Sequence, residues 1–157
     1  FRREDFERML RKEGASSEGC AFAVAPDVVG SARRTLEVFR WWRDRIAGLG
    51  LPVALASQDG IADLDVPWDD VDALFVGGSD RHKNGAEAMH AALAAKALGK
   101  WVHVGRINTP VRYERWKDVA DSCDGSGLAR YDHMLESIFE GLPLLDGEAV
   151  RYRKAVT

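Results

Sequence analysis

Short apolar runs alternate with amphipathic stretches along most of the chain. Four of these runs have the length and composition of buried strands, and a fifth, less apolar run continues the alternation. The predicted strands lie, in chain order, in CAFAVAPD, PVALAS, ALFVGG, WVHVG and DSCDG. Pro26 ends the first of them.

Helical patterns separate the predicted strands. The most regular pattern occupies SARRTLEVFRWWRDRIAGLG, where apolar residues recur every three or four positions before two glycines end it. Its apolar positions are Leu36, Phe39, Trp42, Ile46 and Leu49. Further helices are predicted in DFERML, GAEAMHAALAAKALGK, PVRYERWKDVA and LARYDHMLESIFEGL. The segment QDGIADLDVPWDD is too interrupted for more than a single turn.

This alternation predicts an α/β fold with parallel strands, because parallel neighbours need a crossover long enough to cover the sheet. No linker or repeat divides the chain, so residues 1–157 are expected to form a single domain that ends in a trailing segment. A hydrophobic content of 46% and a charged content of 30% are those of an ordinary globular protein with one sizeable core.

Composition excludes several classes of protein. A net charge of −3 argues against a strongly basic protein that coats nucleic acid. No apolar run approaches the roughly 20 residues of a membrane span, and no signal sequence opens the chain, so we expect a cytoplasmic protein without a membrane partner. Cys20 and Cys123 lack metal-ligand spacing, and we expect neither a metal nor a cofactor.

Every predicted strand is followed by a polar or glycine-rich group. In chain order these groups are Asp27, Gln58 with Asp59, Gly77-Gly78-Ser79-Asp80, Arg106 with Asn108, and Asp124. Because the carboxyl ends of parallel strands meet at one edge of a sheet, this pattern predicts a ligand site there. Loops are polar in general, but SQDG joins an amide to a carboxylate, and VGGSD offers backbone that a ligand can approach closely.

Five segments, taken together and in order, resemble a known family. They are APDVVGSARRTL, ASQDG, LFVGGSDRHK, VHVGRINT and DSCDGSGLAR. Over residues 20–133 they resemble the second half of the queuine/archaeosine tRNA-guanine transglycosylase superfamily, and most of all the phage and bacterial branch that exchanges guanine for 7-deazaguanines in DNA. The family fold is a (β/α)8 barrel of typically ~250 residues, so the resemblance implies a partial TIM-type barrel with about strands four to eight.

The resemblance implies that Asp124 is the catalytic nucleophile, as the second aspartate of a D-x-x-D element that leads to Arg130. Base exchange breaks the bond between a guanine nitrogen and the sugar C1′, and a carboxylate beneath that carbon can form a covalent glycosyl intermediate. Asp121 either raises the proton affinity of Asp124 or caps a turn. His103 alternates with two valines on its strand, a position that fits an interior histidine or a catalytic base.

The resemblance also implies a set of base-binding residues: Asp27, Gln58, Asp59, Gly77 and Gly78. Asp27 would receive the N1 and N2 protons of guanine, Gln58 would turn its amide toward the base, and the glycine amides would meet its carbonyl edge. A base inside a duplex would have to be flipped out to reach them. Lys83, Arg106 and Arg130 are predicted to contact phosphate groups.

The sequence departs from the tRNA branch of the family, because it lacks the Cys-x-Cys-x-x-Cys…His zinc element. This favours DNA over tRNA as the partner. The resemblance itself implies 7-deazaguanine as the incoming base and, for a cytoplasmic protein, a bacterium or a phage-infected host cell. The acid/base aspartate that the family carries on an early strand has no counterpart here. Five strands cannot close the barrel, so a complementary N-terminal half or a second copy is expected to cover its open side.

Two alternative interpretations stay open. In one, the half-barrel is a non-catalytic subunit that binds a purine or nucleic acid. In the other, the sheet is open and doubly wound, and GGSD holds an unrelated phosphate ligand near a helix N-terminus.

Overall fold

The computed structural model describes residues 2–14 and 19–126, and the predicted helix in LARYDHMLESIFEGL, with Arg130, lies outside these ranges. The strands β1 to β5 are Ala23–Val24, Val53–Ser57, Ala73–Val76, Trp101–Val104 and Ser122–Cys123. The described helices α1 to α5 are Arg3–Gly14, Ala32–Ala47, Asp80–Asn84, Ala86–Ala97 and Pro110–Trp116. Between β2 and β3 the chain forms short 3₁₀ turns at Ile61–Asp63 and Trp68–Asp70, where the sequence predicts no long helix.

All five strands are parallel and form one sheet in the order of the chain, β1-β2-β3-β4-β5. The predicted α/β fold with parallel strands is therefore confirmed. A doubly wound sheet reverses its strand order at one point. The described strands have no such reversal, so the interpretation as an open doubly wound sheet is wrong.

The sheet is curled into a half-barrel. The ring of Phe22, just before β1, makes an edge contact with the ring of His103 on β4, with 5.6 Å between the ring centroids. In a flat sheet these strands would be three spacings apart, roughly 14 Å at about 4.8 Å for each spacing. The two rings meet only because the sheet is strongly curved.

The outer face of the sheet packs against the helices in two apolar clusters. Around α2, β1 and β2 the buried cluster contains Leu36, Phe39, Trp42, Ile46, Val53 and Leu55. Around α4, α5, β3 and β4 it contains Leu74, Val76, Ala88, Ala92, Val102, Val104 and Trp116. The apolar stripe predicted for α2 is thus buried against the sheet, except that Leu49 lies beyond the helix end and is only partly buried.

The inner face of the sheet carries the alternate residues of each strand. Ala54, Ala56 and Ala73 are small and buried, whereas Phe75 is only partly covered. Trp101 at the start of β4 is 44% exposed. Within residues 2–14 and 19–126, the inner face therefore keeps aromatic surface in contact with solvent.

Two elements differ from the sequence prediction. β1 has only two residues, because it pairs with β2 alone and the chain then turns at Pro26. The predicted helix in GAEAMHAALAAKALGK is observed as α4, and the separate short helix α3 precedes it, beginning at Asp80. Ser79 caps this helix, since its side chain accepts a hydrogen bond from the His82 amide. No helix in the described part of the chain combines the length and apolar character needed to cross a membrane.

We expect Leu74→Ala to lower the free energy of unfolding by about 2–5 kcal/mol, because Leu74 is fully buried and its truncation leaves a cavity. Leu93→Ala is the matched control, since Leu93 on α4 is half exposed and its truncation should change stability by less than about 0.5 kcal/mol. Urea unfolding followed by tryptophan fluorescence measures both variants. Equal losses in the two would contradict the packing of β3 against its helices.

Candidate functional site

The carboxyl ends of the five strands share one edge of the curved sheet, which we call the carboxyl edge. Because every strand is parallel to its neighbours, Asp27, Gln58, Gly77, Arg106 and Asp124 follow one another along this edge. β1 and β5 are the outermost strands of the sheet, so the two aspartates lie at opposite ends of the row. The curvature of the sheet brings these two ends toward each other.

Gln58 orients Asp27. The side-chain Nε2 of Gln58 donates to Asp27 Oδ2 at 2.5 Å, and its Oε1 accepts from the Gly30 amide at 2.9 Å. Only 1% of Gln58 is exposed. Both ends of its amide are therefore engaged within the protein, whereas the sequence predicted that this amide would face a base. Asp27 itself is exposed, with one carboxylate oxygen fixed by Gln58.

Asp59 fixes the loop that follows β3. Its carboxylate accepts a hydrogen bond from the Ser79 hydroxyl at 2.5 Å and one from the Ser79 amide at 3.0 Å. These two bonds, the hydroxyl first, hold the pKa of Asp59 below its ordinary value of 3.8. Asp59 thus positions backbone at the carboxyl edge, and both of its carboxylate oxygens accept hydrogen bonds from Ser79.

The two glycines after β3 have different environments. Gly78 has a φ of 77°, and a Cβ there would lie 2.9 Å from the His82 ring and 3.0 Å from the Asp59 carboxylate. Gly77 donates its amide to the Ser57 carbonyl at 3.1 Å, and a Cβ there would lie 3.0 Å from Gln58 Nε2. The Gly77 amide is thus already used in the sheet, so of the two glycine amides predicted to meet a base, it is Gly78 that remains a candidate.

Asp124 is held at the other end of the carboxyl edge. Its Oδ1 accepts the Arg106 amide at 2.8 Å, and its Oδ2 lies 3.2 Å from His103 Nε2. Arg106 has a φ of 61°, a left-handed conformation that is costly for a residue with a side chain and that turns its amide to the carboxylate. The side chain of Asp124 remains 55% exposed. The carboxylate is therefore both oriented by the protein and accessible.

The backbone after Asp124 lies directly against the loop that follows β4. The Ile107 amide donates to the Asp124 carbonyl at 2.6 Å. A side chain on Gly125 would overlap the Ile107 carbonyl oxygen. The loops after β4 and β5 are therefore packed backbone on backbone beside the carboxylate.

Asp121 lies before β5, at the opposite end of that strand from Asp124. It accepts the Val102 amide at 2.8 Å and pairs with Lys96 Nζ at 2.6 Å. Burial alone would raise the pKa of Asp121, but the bonds from Lys96 and Val102 outweigh it and lower the pKa. Asp121 thus joins the start of β5 to β4 and to α4, a structural role different from the turn cap that was predicted.

Basic side chains surround the middle of the carboxyl edge. Arg106 donates to the Gly78 carbonyl at 2.8 Å, and Arg112 pairs with Asp80 at 3.2 Å. The Lys83 side chain is only 4% exposed, with its ammonium 3.4 Å from the Gly105 carbonyl and 3.8 Å from Asp80. Burial, and then the nearby Arg106, lower the pKa of Lys83. Lys83 thus lies beneath the edge, whereas Arg106 is exposed on it.

A buried polar set behind the edge was not anticipated from the sequence. Ser57 Oγ lies 2.9 Å from His82 Nε2, and His82 Nδ1 lies 3.1 Å from the Glu87 carboxylate. Burial alone would raise the pKa of Glu87, but hydrogen bonds from the Ala62 amide and from His82 lower it. Ser57, His82 and Glu87 are linked in the same order as the serine, histidine and carboxylate of a hydrolase catalytic triad. Ser57 is fully buried, however, so this set joins β2 to the helices and does not face a substrate.

The contact between His103 and Asp124 could not be predicted from the sequence. Alternation with Val102 and Val104 did place His103 on the face of β4 opposite the helices. The missing information was the register of β4 against β5, which pairs His103 with Ser122 and so brings Asp124 within reach. Among the residues described, no three His, Cys, Asp or Glu side chains form a group that could hold a metal ion.

Comparisons with models of protein families, with curated protein sequences and with solved structures find no match to this chain.

We expect Asp59→Asn to lower the free energy of unfolding by about 1 kcal/mol at neutral pH, because a charged acceptor of two Ser79 hydrogen bonds is lost at a partly exposed site. The pKa of Asp59 is depressed in the folded protein, so its contribution is complete above 3.8 and is lost as the pH falls through the lower folded value. The difference from wild type should therefore shrink in acid.

Urea titrations of wild type and Asp59→Asn at a series of pH values measure this difference. Asp65→Asn, at an exposed position outside the site, is the control and should follow wild type at every pH. A difference for Asp59→Asn that stays constant into acid would contradict the proposed charge-dependent fixing of the loop.

Proposed function

We propose that this chain forms the second half of a guanine transglycosylase barrel that exchanges guanine for a 7-deazaguanine base in DNA. The observation that carries the proposal is the Asp124 carboxylate, which accepts the Arg106 amide and contacts His103 yet is more than half exposed, at the same sheet edge as Asp27. The five segments that resemble the transglycosylase superfamily contain both aspartates. DNA is preferred over tRNA because the zinc element of the tRNA branch is not found in the sequence.

Asp124 has the properties that a glycosyl nucleophile needs. Attack on the sugar C1′ requires one carboxylate oxygen to approach carbon while the carboxylate plane stays fixed. The Arg106 amide and His103 each contact a different oxygen, which limits rotation of the carboxylate. The glycosyl–aspartate bond forms as the C1′–N9 bond breaks, and guanine leaves with the bonding pair and takes up a proton. The incoming 7-deazaguanine then loses its N9 proton, bonds to C1′ and displaces the aspartate as a carboxylate.

Asp27 is the proposed guanine reader. Guanine presents N–H donors at N1 and N2, and a carboxylate can accept from both, whereas adenine offers no such pair of donors. Gln58 holds one oxygen of Asp27 and therefore sets the direction of the carboxylate. Gln58 is proposed to act through Asp27, and the Gly78 amide is the proposed donor to the guanine carbonyl oxygen.

The basic groups at the edge suit a phosphate backbone. Arg106 is exposed and already anchored to Gly78, so part of its guanidinium is left for a phosphate oxygen. Lys83 would act from beneath the edge, through its charge. Arg130 retains the role that the resemblance implies, and its position lies outside the described residues.

We further propose that a complementary half, or a second copy of the chain, covers the inner face. The described sheet has five strands, and a barrel of this type requires eight. The half-exposed indole of Trp101 and the partly exposed ring of Phe75 lie on the face that such a partner would cover. Covering these rings would also exclude water from the region below Asp124.

A non-catalytic purine-binding subunit is the second candidate. The observation that favours it is that Gln58 holds Asp27 and the loop of Gly30 through contacts that do not involve Asp124. A base could therefore be held by Asp27 whether or not the carboxylate at the other end reacts.

We expect Asp124→Ala to reduce the exchange of labelled guanine into DNA by about 10⁴-fold or more, because the nucleophile is removed. The assay uses the purified protein, supplemented with its complementary half if one is required. Asp118→Ala, at an exposed position between α5 and β5, is the matched control and should retain full exchange. Wild type should also form a denaturation-resistant adduct with DNA that Asp124→Ala does not form. Unchanged exchange in Asp124→Ala would exclude Asp124 as the nucleophile.

We expect Asp27→Asn to weaken guanine binding by about 1–3 kcal/mol, because an amide can accept from only one of the two guanine donors and opposes the other with its own N–H group. Isothermal titration calorimetry with free guanine measures the loss, and Asp63→Asn at an exposed position is the control. Guanine binding without exchange in the wild type would select the non-catalytic subunit. Equal affinity in wild type and Asp27→Asn would contradict the proposed base site.

A further inference from the structure

Four side chains form a continuous series of hydrogen bonds on the inner face of β4 and β5. Trp101 Nε1 donates to Ser122 Oγ at 2.9 Å, and Ser122 Oγ lies 2.8 Å from His103 Nδ1. His103 Nε2 in turn lies 3.2 Å from Asp124 Oδ2. The series begins at a half-exposed indole and ends at the proposed nucleophile.

The register of the two strands produces this series. His103 is paired with Ser122 across β4 and β5. Trp101 precedes His103 by two residues and Asp124 follows Ser122 by two, so all four side chains project from the same face of the sheet. The register of β4 against β5 therefore places all four side chains within reach of one another.

The chemistry of the donors fixes the direction of the protons. An indole nitrogen can only donate, so Ser122 Oγ accepts from Trp101 and keeps its single proton for another partner. The nearest partner of that hydroxyl is His103 Nδ1, which then serves as the acceptor. A neutral imidazole with an acceptor at Nδ1 carries its proton on Nε2, and that proton points to the Asp124 carboxylate.

The other protonation states fit less well. A neutral ring protonated on Nδ1 would turn the lone pair of Nε2 toward a carboxylate oxygen. A doubly protonated ring would require Ser122 Oγ to accept two hydrogen bonds and would leave the hydroxyl proton without this partner. A ring with a proton on Nε2 donates to the Asp124 carboxylate, and of the two such forms only the neutral one also accepts the proton of the Ser122 hydroxyl.

We propose that His103 is a positioning residue for Asp124, held by Ser122 and Trp101 as the neutral tautomer that carries its proton on Nε2. Together with the Arg106 amide on the other oxygen, it fixes the plane of the carboxylate. Phe75 stacks on the His103 ring with 5.0 Å between ring centroids, and Phe22 contacts its edge. The ring is thus fixed by packing as well as by hydrogen bonds.

The catalytic consequence of this arrangement rests on the proposed function, but the tautomer does not. NMR of the protein labelled with ¹⁵N-histidine identifies which ring nitrogen carries a proton at neutral pH. The His103 signals are assigned by their loss in His103→Gln. We expect His103 to be protonated on Nε2 alone, and Ser122→Ala to produce a mixture of tautomers because the donor to Nδ1 is lost.

The exchange assay measures the consequence for Asp124. His103→Phe keeps an aromatic ring but offers no donor, and we expect it to lower kcat by about 10²-fold with little change in KM, because a misplaced nucleophile slows the reaction without weakening binding. His103→Gln offers an amide donor and should restore part of kcat. His90→Phe, at an exposed position on α4, is the matched control and should have wild-type activity.

Several results would overturn the proposal. In the NMR experiment these are a proton on Nδ1 of His103, a doubly protonated ring at neutral pH, or a tautomer that Ser122→Ala leaves unchanged. In the exchange assay it is an unchanged kcat in His103→Phe. Near-UV circular dichroism of each variant shows whether it has folded. If His103 has the expected tautomer but the wild-type protein exchanges no guanine, the proposed function is wrong and the hydrogen-bonded series still stands. The wrong tautomer would overturn the series whatever the activity.

Discussion

Parallel pairing between strands that are also neighbours in sequence is the constraint on which the rest of the structure depends. Each crossover helix covers the outer face, so the inner face and one edge are left for other uses. The order of the strands determines which loops are adjacent, and the curvature of the sheet brings the loops after β1 and β5 toward each other. In a flat sheet the loops after β1 and β5 would be separated by four strand spacings, roughly 19 Å at about 4.8 Å for each spacing.

The carboxyl edge is stabilised largely by its own polar side chains. Gln58 and Asp59 direct their hydrogen bonds to neighbouring loops, and Arg106 bridges from the loop after β4 to the Gly78 carbonyl. Such bonds reduce the freedom of the loops before any ligand arrives. What remains available at the two ends is a pair of oriented carboxylates, Asp27 and Asp124. Gln58, Asp59 and Arg106 thus build the carboxyl edge, and the two carboxylates of Asp27 and Asp124 are the groups that it presents to a ligand.

The apolar pattern of the sequence was sufficient to predict the strands, the main helices and the parallel sheet, because burial of alternate and helical faces leaves a periodic signal. It placed a helix N-terminus near GGSD but could not show that α3 is separate from α4, because five residues are too few to display a helical period. The contacts of Asp121 with Val102 and of His103 with Asp124 depend on the register of β4 against β5, which the local sequence does not encode. Lys83 was predicted as an edge residue, and its burial under the loop depends on the cap at Ser79.

The close packing at Gly125 has a consequence for protein engineering. Any side chain at this position would force the loop after β5 away from Ile107, and Asp124 would move with it. A mutant library built to alter the accepted base should therefore leave codon 125 unchanged. The exposed residues around Asp27 offer more room for variation, because changes there do not press one main chain against another.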